Sequence, residues 1–213
     1  CVQASTTGTI TVYALPTLTS SQTPSTICSG TSFTYTPTSG TTPTYTWARQ
    51  ANASINEATT TGSNGVNEVL TNTSAANTDV TYAYTLTENG CPNTQNVITT
   101  VRPNPQGSFT GNTRCAGDAA SFGQLTWTAT AGTGPYVVDT TASQAAVTSG
   151  VPYSLPVSTP TITSVYALTK VTDTYGCERT AGFTAGTATV TVTGAAISYT
   201  SGTPTCLLYT SDA

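Results

Sequence analysis

Cysteine carries most of the chemistry this sequence offers. There are six, Cys1, Cys28, Cys91, Cys115, Cys177 and Cys206, and there is no histidine. Without an imidazole, Ser-His-Asp and Cys-His nucleophilic arrangements are excluded, and so are most zinc sites. Thiols with neither His nor acidic clusters beside them read as disulfides, not metal ligands. The carboxylates do not gather. Glu57, Glu68, Asp79 and Glu88 fall on separate loops and strands, with no pattern that fixes the paired geometry of glycoside hydrolysis, and they read as solvated surface. Asp118, Asp139 and Asp173 are too dispersed to supply the roughly six oxygens of a calcium site. A side-chain amide cross-link would need a buried lysine, and Lys170, the sole lysine, reads as exposed on its strand. No catalytic residue, metal or cofactor is expected.

Charge excludes further classes. Lys+Arg total 5 and Asp+Glu 9, so that 7% of the chain is charged, where an ordinary soluble domain carries about 25%. Threonine fills the space, at about a quarter of all residues. Arg49, Arg102, Arg114, Lys170 and Arg179 are scattered, whereas a phosphate backbone needs clustered cations, so no nucleic-acid partner is expected. No run approaches the roughly 18 apolar residues of a membrane span.

The elements that position these residues repeat. Thr9-Ile-Thr-Val12 follows Cys1, Thr99-Thr-Val101 follows Cys91, and Thr189-Val-Thr-Val192 follows Cys177. Cys28 and Cys115 instead precede strands. Cys28 to Cys91 is 63 positions and Cys115 to Cys177 is 62, while Cys1 to Cys91 is 90 and Cys91 to Cys177 is 86. A period near 88 residues with matched internal spacing indicates tandem β domains. Within each unit the pattern has period two and favours Thr, Val and Tyr, which suit a pleated, half-buried surface. Phe33 and Tyr35 share a face, as do Tyr45 and Trp47, and Val80, Tyr82, Tyr84 and Leu86. Glu88-Asn89-Gly90 marks a hairpin, because Asn-Gly readily supplies positive φ. Short strands between turn signals predict an all-β fold of tandem β-sandwiches. The expected domains are 17–103 and 104–194, with 1–16 the last strand of a preceding repeat and 195–213 the start of a following segment. Cys206-Leu-Leu-Tyr-Thr-Ser-Asp-Ala213 resembles a translated transposase adapter from short-read sequencing and is left out of fold reasoning. Cys1 reads as an internal position of a chain that continues upstream.

Two connectivities fit the cysteines. Within-repeat pairing joins Cys28 to Cys91 and Cys115 to Cys177, each bridge contributing about 4 kcal/mol in the chain-entropy model. In a standard sandwich those positions lie at opposite ends, and the alternative links neighbouring domains, for instance Cys28 with Cys177. Both imply an oxidising compartment, secreted or on the cell surface.

Several segments carry a family likeness. Cys28-Ser-Gly-Thr-Ser-Phe-Thr-Tyr-Thr-Pro, Thr44-Tyr-Thr-Trp47-Ala-Arg49, Asn67-Glu-Val-Leu-Thr-Asn72, Val80-Thr-Tyr82 and Asn89-Gly-Cys91 together resemble the PKD-like repeat of Bacteroidota surface proteins. Cys115-Ala-Gly-Asp, Ala131-Gly-Thr-Gly-Pro-Tyr136 and Tyr175-Gly-Cys177 resemble the related immunoglobulin-like repeat. The resemblance covers about residues 1–194 and implies immunoglobulin-like (PKD-like) sandwiches in very large secreted polypeptides, including gliding-motility adhesins exported by the type IX system. The founding Trp-Asp-Phe-Gly-Asp-Gly motif is absent, since Ala48 and Arg49 follow Trp47, and no calcium role comes with the resemblance. Asp139-Thr140-Thr141 resembles the short O-glycosylation signal of Bacteroidota, which implies a glycan on Thr140. Asn52-Ala-Ser and Asn72-Thr-Ser match the N-glycosylation pattern, which bacteria seldom use.

Trp47 and Trp127 could stack on sugars, but alternating strands place them in the core. Cys115, Trp127 and Cys177 mimic the immunoglobulin Cys…Trp…Cys spacing, and Asp173-x-Tyr175-x-Cys177 its tyrosine corner. Trp127 nevertheless falls on the second strand of its unit and Tyr175 in a turn. The expected function is a non-enzymatic, disulfide-stabilised spacer in a large secreted adhesin or filament. Its partners would be neighbouring repeats, with surface polysaccharide or other cells beyond them. The alternative is an accessory polysaccharide-binding module of an extracellular enzyme. Solvent-facing coplanar rings would separate the second from the first.

Overall fold

The computed structural model describes residues 2–4, 8, 10–116, 123–154 and 161–195. Cys1, Asp118, Cys206 and the adapter-like tail lie outside that set. Every regular element described is a strand, and the chain divides into two compact units, Cys1–Pro103 and Asn104–Ala213.

In unit 1, β1 (Val2–Ala4) and β2 (Ile10–Val12) form an antiparallel pair. The sandwich follows with β3 (Ile27–Cys28), β4 (Thr31–Tyr35), β5 (Thr44–Arg49), β6 (Thr61–Ser63), β7 (Val66–Leu70), β8 (Thr78–Glu88) and β9 (Cys91–Arg102). One sheet runs β3-β9-β8-β5-β6 and the facing one pairs β4 with β7. Alternation dictates what lies between them. Val80, Tyr82, Tyr84 and Leu86 of β8 are all fully buried, opposite Phe33, Tyr35, Val66 and Leu70 of the other sheet. Phe33 stacks on Tyr82 with ring centroids 5.2 Å apart, and the edge of Trp47 meets Tyr82 at 5.7 Å. Each such side chain contributes about 1.5–3 kcal/mol on burial. β8 turns into β9 through Asn89 (φ 49°) and Gly90 (φ 73°), the double positive φ that matches the twist of a two-residue hairpin. Glu88 then faces Cys91 across the ladder.

Unit 2 comprises β10 (Gln106–Gly111), β11 (Thr113–Ala116), β12 (Gln124–Ala131), β13 (Tyr136–Thr140), β14 (Gln144–Val147), β15 (Tyr153–Ser154), β16 (Ser164–Thr172), β17 (Glu178–Arg179) and β18 (Thr187–Ala195). The sheets run β10-β12-β15 and β11-β18-β16-β13-β14, with β17 on β16. Phe109 lies opposite Trp127 in the β10–β12 ladder. Leu125, Trp127, Val138, Val171 and Val190 form the fully buried centre. Gly111 is needed where β10 passes β18, since a Cβ there would sit 2.2 Å from the Thr189 carbonyl oxygen. Both units share one feature: a short early strand runs parallel to the last strand, β3 on β9 and β11 on β18. Each is a two-sheet β-sandwich with its core between the sheets.

Candidate functional site

Cys28, Cys91, Cys115 and Cys177 are each disulfide-bonded, and Cys91 and Cys177 are fully buried. The within-repeat pairing is incompatible with the ladders. Cys28 lies beside Arg102, the last residue of β9, while Cys91 is the first. Eleven residue steps separate those two ends of β9, about 36 Å, and a disulfide spans at most about 7 Å between Cα atoms. Cys115 lies beside Thr193 near the end of β18, whereas Cys177 follows β16 at its far end, where the Asp173 N–H donates to the Cys177 carbonyl at 3.0 Å. Thr187 of β18 faces Ala167 of β16, so the path from Thr193 to Asp173 exceeds about 30 Å. Equal sequence spacing therefore reflects equal topology, not proximity.

Two of the carboxylates expected at a solvated surface, Glu57 and Glu68, are instead drawn into a buried ionic group. Period two carries Arg49 of β5 onto the inner face with Tyr45 and Trp47. Its side chain is 1% exposed, and Nε lies 3.1 Å from Glu68 Oε1 on β7. Nη2 donates to the carbonyl of Glu57 at 3.1 Å and to that of Ala58. The Tyr82 hydroxyl donates to the same Glu68 oxygen at 2.5 Å. This group ties β5, β7 and β8 together across the two sheets. Glu57 Oε2 accepts from the Thr71 N–H at 2.8 Å. Burial alone would raise the Glu57 pKa, but the hydrogen bonds from Thr71 and the Arg49 charge hold it below the usual carboxylate range. Lys170 is partly exposed, 3.6 Å from Asp139 and 3.3 Å from Glu178, a surface triad and not the buried lysine that a side-chain cross-link needs. No group of three or more potential metal ligands occurs among the described residues.

Burial raises the pKa of Tyr35, Tyr82, Tyr84 and Tyr136, and pushes Tyr153 up to about 12. A phenol whose folded pKa exceeds its unfolded value stabilises the fold fully below the unfolded value, near 10, and loses that contribution as pH rises through the folded one. Glu57 has the opposite sign: its contribution is present above the unfolded carboxylate value and is lost in acid. With no histidine to titrate between them, thermal midpoints should be flat from about pH 5 to pH 9 and fall steeply above about pH 10. A midpoint unchanged at pH 11.5 would contradict this assignment.

Asp173 is buried, and its carboxylate accepts from the N–H groups of Tyr175 and Cys177 at 2.9 Å and of Thr133 at 3.2 Å. It caps the turn before β17, as an Asx turn does. Tyr175 is 54% exposed, so the tyrosine-corner spacing is coincidental. A second feature recurs in both units. Asn93, two residues after Cys91, donates Nδ2 to the Pro16 carbonyl at 2.9 Å, and Arg179, two after Cys177, donates Nε to the Pro105 carbonyl at 2.7 Å. Each unit thus grips its own leading segment from the turn that carries its buried cysteine.

Trp127 is fully buried and Trp47 is packed against the unit 1 core. Among the described aromatic residues, Tyr175 alone is strongly exposed. An open groove of about 530 Å³ lies beside β5, β6 and β8, lined by Thr46, Trp47, Ala48, Thr61, Gly62, Ser63, Ala83 and Thr85. The indole of Trp47 lies flush on Gly62, where a Cβ would come within 2.5 Å of the ring. Thr140 ends β13 with its hydroxyl donating to the Ser143 carbonyl at 3.0 Å. Asn72 is buried and spends its amide hydrogens on the carbonyls of Ala76 and Val101, each at 2.8 Å, so its N-glycosylation pattern is a sequence coincidence.

Residues 25–106 match the PKD-like domain family. This PKD-like segment holds β3 to β9, including the Arg49–Glu68 pair and the Asn89-Gly90 hairpin. No curated protein matches the chain. Similar solved structures include the N-terminal four Ig domains of Dscam1 isoform 4.4, at 10% identity and TM-score 0.33, over 85% of this chain and 46% of that one. Drosophila N-cadherin EC1-4 follows at 13% and 0.34, over 85% and 49%. The cadherin domains 1–4 of protocadherin gamma B7 stand at 8% and 0.34, over 84% and 51%. The chain spans about half the length of these structures.

Proposed function

We propose that the chain is a non-enzymatic repeat segment of a large secreted adhesin or surface filament, of the kind found in Bacteroidota, whose sandwiches act as spacers holding a binding tip away from the cell. The observation that carries this reading is where the aromatic rings go. Phe33, Tyr82, Tyr84, Phe109 and Trp127 are spent on two cores, and Tyr175 stands by itself at a turn, so no coplanar platform faces solvent among the described residues. Four bonded cysteines suit an oxidising exterior, and a surface of neutral hydroxyls stays hydrated over a wide pH range. The Asp139-Thr140-Thr141 hairpin remains the candidate for a glycan, on Thr140. Neighbouring repeats are the first partners.

The second reading, a polysaccharide-binding module, rests on the hydroxyl-lined groove beside Trp47. Glycan-array binding by the purified chain separates the two. The spacer reading expects no saturable signal. Binding that is lost on replacing Thr46 and Thr85 by valine, with the fold retained, would replace it with the polysaccharide module.

A further inference from the structure

A sheet ends in strands whose outer backbone groups lack partners, and proteins blunt such edges with charge, proline, a bulge or a covering loop. In unit 2 the outer side of β10 is covered, since the Phe109 N–H donates to the Ala185 carbonyl at 3.1 Å. β14, which ends the larger sheet, has none of these devices. It carries no charge and no proline, and its register with β13 runs without a shift. The Thr140 N–H donates to the Ser143 carbonyl at 2.8 Å, which fixes the alternation of the ladder. Ala145 and Val147 therefore bond to Val138 and Tyr136, and the N–H and C=O groups of Gln144 and Ala146 point outward. Both residues are exposed. The Gln144 side chain is drawn back over β13, donating to Asp139 Oδ1 at 2.6 Å. Among the described residues no loop or side chain bonds to those four outward groups.

We propose that this edge pairs with the same edge of a second copy of the chain, antiparallel about Ala145. In that register the strand is its own complement. Gln144 meets Ala146 of the second copy and Ala146 meets its Gln144, two pairs that exchange four hydrogen bonds. A two-fold pair cannot be parallel. There each outward residue bonds the neighbours of the residue it faces, so identical residues set face to face do not mesh.

Charge and size name the occupant. A chain of net charge −4 repels its own copies, yet the edge that meets here is neutral. The carboxylate beside it, Asp139, lies 3.6 Å from Lys170. Ala145 and Ala146 put no bulk between approaching backbones. Four residues of edge are about 14 Å long and cannot bury the roughly 1,000 Å² of a stable complex. A single pair is therefore weak, and a chain of many repeats gains by summing such pairs.

What the pairing does rests on the spacer reading. Arg179 grips Pro105 beside the Cys177 turn, and β18 carries the chain out more than about 30 Å away. The chain thus enters and leaves unit 2 at opposite ends of its strands. Antiparallel edges set the entry end of one copy beside the exit end of the other. Spacers paired this way run in opposite directions, as chains reaching from two facing surfaces do, and the contact joins surfaces instead of bundling chains on one.

The test is amide hydrogen exchange on the whole chain at concentrations up to about 1 mM, with sedimentation velocity alongside. With about nine-tenths of the chain paired, exchange at Gln144 and Ala146 should slow about tenfold, while the other strands keep their rates. Ala146→Pro removes an outward N–H at an edge position that tolerates proline. It should melt like the parent and sediment as a monomer at every concentration. A parent chain that stays monomeric throughout overturns the proposal, as does a dimer that gains its protection elsewhere or survives Ala146→Pro. The exchange measurement needs no variant, so it decides the matter even where Ala146→Pro fails to fold. A positive glycan array overturns the spacer reading and leaves the pairing standing, whereas a monomeric chain overturns the pairing and leaves the spacer reading.

Discussion

Replacing Arg49 by methionine is expected to cost unit 1 about 3–5 kcal/mol, the range for breaking a buried ion pair from one side. The guanidinium is 1% exposed and its partner Glu68 18%. Removing the charge leaves Glu68 and the carbonyls of Glu57 and Ala58 facing an apolar stem, with the Tyr82 hydroxyl as the carboxylate's remaining hydrogen-bond donor. The loss comes mainly from this stranded carboxylate, not from the pair's own attraction, so the double variant Arg49→Met/Glu68→Leu should recover more than half of it. Denaturant melts of both proteins check the prediction. A single variant within about 1 kcal/mol of the parent would mean that water already reaches the pair.

Trp127→Ala carries the other large effect, about 3–5 kcal/mol in unit 2. The ring is fully buried and opposite Phe109, and its edge meets Tyr136 with centroids 6.2 Å apart. Its deletion opens a cavity between two sheets whose backbones are fixed by their ladders and cannot close on it. The indole N–H has no hydrogen-bond partner among the described residues, so Trp127→Phe removes an unpaired donor along with some volume and should cost less than half as much. Amide exchange at Leu125 and Val138 reads the effect locally. Unchanged protection there in Trp127→Ala would show that Trp127 is not the keystone of that core.

Much of this protein is legible in one dimension. Alternation at Val80, Tyr82, Tyr84 and Leu86 marks a buried strand face, and Asn89-Gly90 a hairpin, because side-chain period and positive φ are local properties of consecutive residues. The same alternation puts Arg49 inward beside Trp47, while its partner Glu68 lies on another strand that no local pattern links to it. The turn cap of Asp173 was hidden for a similar reason, since a buried carboxylate surrounded by backbone N–H groups has no partner in the sequence to betray it.

Sequence by itself determined the class of structure, the repeat and the location of the two kinds of cysteine, since period and spacing survive without any knowledge of what touches what. Tertiary structure decided which cysteines cannot meet, which carboxylate is dry and which rings face inward. Those depend on register: once a short first strand lies parallel to the last one, residues 63 apart stand at opposite ends of a sheet, and no count along the chain reveals that separation.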